Sequence, residues 1–68
     1  MKISADIVAL RKKRGITQQQ LSELSGIKQP MIARIESGKS DPQLSTIIKI
    51  LDCLEARLII DDKYKEED

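Results

Sequence analysis

The sequence predicts a compact all-α domain of four short helices, closed by a short C-terminal β-strand. Three observations carry that prediction. Aliphatic side chains recur at helical spacing in four successive stretches. Gly15, Gly26 and Gly38 each follow one of the first three stretches, where a left-handed residue ends a helix. Residues 56–60, Ala-Arg-Leu-Ile-Ile, then abandon the helical period for a brief β-branched run, which reads as a strand.

The first stretch, Ser4 to Arg14, places Ile3, Ile7 and Leu10 on one stripe. Its last turn, Arg11-Lys12-Lys13-Arg14, suits the negative end of a helix dipole. The second stretch opens on Thr17-Gln18-Gln19-Gln20, a capping box with Thr17 at the N-cap and Gln20 at the third helical position. Ile16 and Leu21 flank it as a hydrophobic staple. This helix is expected to end near Ser25, with Leu21 and Leu24 facing inward. A very tight connection through Gly26 and Ile27 leads to a third helix from about Gln29 to Ser37. Ile32 and Ile35 form its inner stripe, and Ile27 with Ile32 offers a second staple. Pro30 fits because the first turn has no use for its missing N–H. The opposite face carries Lys28, Gln29, Met31 and Arg34, with no acid until Glu36. After the turn cluster Lys39-Ser40-Asp41-Pro42, a fourth helix is expected from Gln43 to Leu54 or Glu55. Leu44, Ile47, Ile48, Leu51 and Leu54 are expected to supply most of the core, with Cys53 as a small packing residue. Residues 61–68 read as an acidic, frayed tail in which Tyr64 faces solvent.

Composition limits the function. A chain of 68 residues is one small domain, and near this size only about 60% of the unfolded surface is buried. Cys53 is the single cysteine and there is no histidine, so neither an internal disulfide nor an N/S metal site is expected. Tight helix packing or oligomerisation must stabilise the fold instead. No nucleophile–base pair or Gly-rich phosphate loop is present, which argues against an enzyme and calls for no cofactor. No apolar run approaches 18 residues and no signal-peptide core opens the chain, so a soluble cytoplasmic protein without a membrane partner is expected. Charge is unevenly placed. Residues 1–49 carry nine Lys/Arg against four acids, and residues 50–68 carry three against seven. A basic body with an acidic tail points one face toward a polyanion.

Two short helices joined by a Gly turn inside a helical domain form a helix-turn-helix pattern. The run from Gly15 to Pro42, with its capping Thr17, turn Gly26 and Arg34-Ile-Glu-Ser-Gly-Lys39 followed by Pro42, closely resembles the Cro and phage-repressor type of helix-turn-helix, the XRE family. The resemblance covers roughly residues 5–55. It implies that helix 3 enters the DNA major groove while helix 2 lies across the backbone. Carried over by position, Gln18 meets a phosphate through its side chain or amide, and Gln29 reaches a base edge. Arg34 reaches a guanine or a phosphate, and Lys39 meets the backbone. The resemblance also implies a largely buried ion pair between Arg11 and Glu36.

This chain departs from the family pattern in three places. Lys28 stands where relatives place Ser or Thr, exchanging a side-chain cap for a phosphate-seeking cation. Pro30 occupies a position that relatives use for polar contact. The strand-like Arg57–Ile60 follows helix 4 where the family carries a fifth helix, and it resembles antitoxin-type repressors that dimerise through such a strand.

The expected organisation is therefore a DNA-binding unit over 1–55, a dimerisation element over 56–60 and a flexible tail over 61–68. The DNA-binding residues are expected to be Gln18, Lys28, Gln29, Met31, Arg34 and Lys39. The expected function is a homodimeric repressor of double-stranded DNA reading a near-palindromic operator. The alternatives are an antitoxin that also binds a toxin protein, and a protein-interaction module on the same fold.

Overall fold

The computed structural model describes residues 2–59, which form four helices: α1 (Lys2–Lys13), α2 (Gln18–Ser25), α3 (Gln29–Glu36) and α4 (Leu44–Cys53). Helix α2 packs against α3 and α4, and α1 packs against α3. The expected tail and Tyr64 lie outside the described residues.

Each helix buries a narrow aliphatic stripe. Ile7, Leu21, Ile32, Ile35, Ile47, Ile50, Leu51 and Leu54 form one core. Ile3, Leu10, Ile16, Ile27, Cys53 and Ala56 pack around its edge. Both expected staple residues, Ile16 and Ile27, thus sit against the core beside the helices they precede. At the start of α2, Thr17 Oγ1 accepts the Gln20 N–H at 3.0 Å while Gln20 Oε1 accepts the Thr17 N–H at 2.8 Å. The capping box is complete.

The helix ends repeat one device. After α1, the Ile16 N–H reaches the Arg11 carbonyl and the Gly15 N–H reaches that of Lys12. After α3, Lys39 reaches Arg34 and Gly38 reaches Ile35 in the same way. Both are Schellman closures with glycine in the left-handed position. After α4 the same pair of bonds recurs, Ala56 to Leu51 and Glu55 to Asp52. There the left-handed residue is Glu55, with φ of 54°. Arg14 then ties the first helix to the last, its Nε donating to the Leu54 carbonyl at 3.0 Å.

Several expectations need correction. Leu24 is 61% exposed, and Ser25 takes the inward position beside Leu21. From Leu21 the buried stripe advances four residues rather than three. In α4, Leu44 and Ile48 also face outward, and Ile50 replaces them in the core. Five aliphatics spread over too wide an arc for so small a core to cover. Residues 56–59 form no strand, and Ile60 lies beyond the described residues. A strand needs a partner to exchange ladder hydrogen bonds with, and no other described segment lies in an extended pairing with this one.

Candidate nucleic-acid interface

Helices α2 and α3 are joined by three residues, Gly26, Ile27 and Lys28. Gly26, with φ of 75°, ends α2 through a hydrogen bond from its N–H to the Ser22 carbonyl. The Ser22 hydroxyl donates to the Ile27 carbonyl at 2.6 Å, and Ser25 Oγ accepts the Ile27 N–H at 3.1 Å. The turn is thereby held from both sides. With Ile32 and Ile35 fully buried, the other side of α3 must face outward.

That outward side carries the chemistry the sequence selects. Lys28, Gln29, Pro30, Met31, Arg34 and Lys39 are all exposed. Lys28 is the N-cap of α3, and no side chain caps the helix there. Lys28, Met31 and Arg34 line one shallow depression together with Pro30 and Ser40. Lys28 and Met31 continue into an adjoining groove bounded by Ser40, Asp41, Gln43 and Thr46. Ser40, Gln43 and Thr46 therefore border the same surface, although nothing in their spacing marked them as site residues. Only the fold brings the start of α4 beside α3. Lys39 lies past the end of α3, its N–H held by the Arg34 carbonyl, and lines neither groove.

Gln18 has its side chain engaged within the domain. Its side-chain Nε2 donates to Glu36 Oε1 at 2.9 Å, so that amide is turned toward α3 rather than left free for a phosphate. Gln18 is the first residue of α2. Its backbone N–H is one of the helix-start donors that have no partner within a helix. The outward-facing set is thus Lys28, Gln29, Met31 and Arg34, with Lys39 at its edge.

Glu36 is the hub beneath this surface. Arg11 Nε donates to its Oε2 at 2.6 Å and Arg11 Nη2 to its Oε1 at 3.0 Å. A third guanidinium donor, Nη1, reaches the Ile16 carbonyl at 2.9 Å. The Arg11 and Glu36 side chains keep only 12% and 5% of their accessible surface, so the expected ion pair is present and nearly buried. Burial by itself raises the Glu36 carboxyl. Hydrogen bonds from Arg11 and Gln18, with the charges of Arg11 and Lys12, outweigh it and hold the group below its ordinary value. The hydrogen bond to Glu36 raises Arg11 in turn, against the opposing effect of burial. The single acid of α3 is neutralised on the inner side, leaving Arg34 as an unopposed cation on that helix's outer side.

Among the described residues no cluster of three His, Cys, Asp or Glu side chains is placed to hold a metal. No described helix is long and apolar enough to cross a membrane.

Comparison with known proteins agrees with this geometry. The helix-turn-helix family model matches residues 7–58. An uncharacterised HTH-type transcriptional regulator of Haemophilus influenzae is 54% identical over 46 residues, covering 68% of this chain and 47% of the relative. Repressor protein C of Escherichia phage P2 is 37% identical over 49 residues, covering 72% of this chain and 50% of the repressor. The chain spans about half the length of these two relatives. A solved toxin–antitoxin module from Streptococcus pneumoniae superposes with a TM-score of 0.73 at 38% identity, over 90% of this chain and 72% of that one. With its fold, its turn and its sequence in agreement, the chain belongs to the XRE-type helix-turn-helix family.

Proposed function

We propose that the chain is a sequence-specific regulator of transcription that binds double-stranded DNA through α3. The observation that carries this reading is the outer face of α3. Lys28, Gln29, Met31 and Arg34 stand exposed together, while the helix's only acid, Glu36, is paired inward with Arg11. Amide and guanidinium groups on a major-groove helix pair bidentately with adenine and guanine, and a methionine offers apolar contact to a thymine methyl. Lys28 and Lys39 serve the flanking phosphates, and Gln18 serves through its backbone N–H rather than its side chain. In this reading residues 1–55 are the DNA-binding unit, and the protein acts in the cytoplasm as a homodimeric repressor on a near-palindrome. An enzymatic role has no support in the family, whose members regulate through DNA.

A second reading draws on the toxin–antitoxin module that the chain resembles. The protein would neutralise a toxin as well as bind its own operator. Selection of bound duplexes from a random pool tests the main reading. It should return one motif with two inverted halves about one helical turn apart. Recovery of no motif would refute it. A DNA motif accompanied by stoichiometric binding of a co-encoded protein would support the second reading as well.

A further inference from the structure

The outer face of α3 mixes two kinds of chemistry. Gln29 and Arg34 can hydrogen-bond to base edges, whereas Pro30 and Met31 between them cannot. Pro30 has no N–H and no polar side chain, and Met31 ends in a thioether, a weak acceptor at most. Both are exposed nonetheless, Met31 to 45%. Their spacing ties them to one cation. Met31 and Pro30 stand three and four residues before Arg34, the separations at which side chains meet on a helix surface. The three line one depression with Lys28 and Ser40, and among the described residues Arg34 makes no ion pair. A free guanidinium flanked by apolar side chains suits one feature of the major groove. Guanine offers O6 and N7 to a bidentate arginine, and thymine presents its 5-methyl group in the same groove. Where the two bases are neighbours, that methyl group lies beside the flat face of the guanidinium that holds the guanine. Cytosine offers no such contact unless it is methylated, since its own mark in the groove is an amino donor.

We propose that Pro30, Met31 and Arg34 together read a 5-methylated pyrimidine beside a guanine, so that the chain responds to the methyl group itself, on thymine or on 5-methylcytosine. This rests on the DNA reading of α3 given above and adds the chemical mark to which that face is sensitive. Arg34 fixes the guanine. Met31 and Pro30 close around the neighbouring methyl group and take it out of water, a contact that involves no hydrogen bond. An amide or hydroxyl at either position would keep water there instead. The same face therefore distinguishes methylated from unmethylated cytosine at one step of the operator, where a purely hydrogen-bonding helix would not.

Uracil lacks only the methyl group of thymine, and 5-methylcytosine adds only that group to cytosine. Neither exchange alters a hydrogen-bonding edge. The affinity of the full chain for selected duplexes differing in this way tests the proposal, at the pyrimidine next to the guanine whose preference Arg34→Ala relaxes. Exchanging thymine for uracil should weaken binding about fourfold for each half-site, the scale of one buried methyl group. Methylating a cytosine placed at the same position should strengthen binding by about the same factor. Met31→Ala should abolish the preference for thymine over uracil. Equal affinity for the thymine and uracil duplexes, a preference undiminished in Met31→Ala, or a guanine with no pyrimidine neighbour would each overturn the proposal. The two readings fail separately. A selected motif bound without regard to the methyl group removes the methyl reading alone, whereas selection of no motif removes the DNA reading beneath it.

Discussion

Glu36 is the residue on which most of the local arrangement converges, because it accepts from both Arg11 and Gln18. Removing one partner of a buried pair strands the other charge, so Glu36→Ala should cost about 3–5 kcal/mol in urea unfolding. A cost below about 1 kcal/mol would place the pair among ordinary surface ion pairs. The pH dependence has a definite sign. The folded carboxyl sits below its ordinary 4.5, so its contribution is complete above that value and fades as pH falls through the folded value. The unfolding midpoint of the parent should therefore drop on the acid side of about 4.5, and Glu36→Gln should flatten that part of the profile. Gln29 calls for a different measurement. Gln29→Ala should relax preference at one operator position by about 1–3 kcal/mol and leave affinity for unrelated duplex nearly intact. Uniform weakening on every duplex would assign Gln29 to the backbone. The Arg11–Glu36 pair was legible through the family resemblance, which implies an Arg and a Glu paired at these positions. The Gln18 contact was not. A carboxylate and a phosphate compete for the same amide donor, and spacing along the chain does not say which is nearer.

At the scale of elements, the starts and stops of helices were the most legible feature. Thr17 with Gln20 and the three glycines act locally, through hydrogen bonds within a few residues, so their chemistry is written in consecutive positions. The closure after α4 carries no such sequence signal, because Glu55, rather than glycine, takes the left-handed position. An L residue there is disfavoured by roughly 1–2 kcal/mol. Glu55→Gly should consequently raise stability by about 0.5–1 kcal/mol after the extra flexibility of glycine in the unfolded chain is offset. Thermal unfolding of the two proteins at neutral pH checks this, and a lower melting temperature for the glycine variant would speak against it. Orientation of the stripes was less legible than their existence. Leu24, Leu44 and Ile48 fit the helical period as well as their buried neighbours do. What decides among them is how wide an arc the other three helices can cover. The segment after α4 fails as a strand for a related reason, since β structure is a property of a pair.

For the whole molecule, the four-helix all-α architecture was recoverable from aliphatic periodicity and punctuation together. The surface around α3 was recoverable in part. Residues on α3 itself could be placed by their face, whereas Ser40, Gln43 and Thr46 reach it only through tertiary packing. The charge asymmetry of the sequence has a counterpart in the fold, with Lys12, Lys13, Lys28, Arg34 and Lys39 all exposed. If each subunit of a dimer neutralises three or four phosphates through Lys12 or Lys13, Lys28 and Lys39, about six to eight counterions are released on binding. The most direct measurement of the central claim is therefore the affinity of the full chain for a selected duplex and for a scrambled one, across a range of salt. The slope of log affinity against log salt should be roughly −5 to −7, with the selected duplex bound at least about 1,000-fold more tightly at physiological salt. A slope near zero, or equal affinity for the two duplexes, would contradict it.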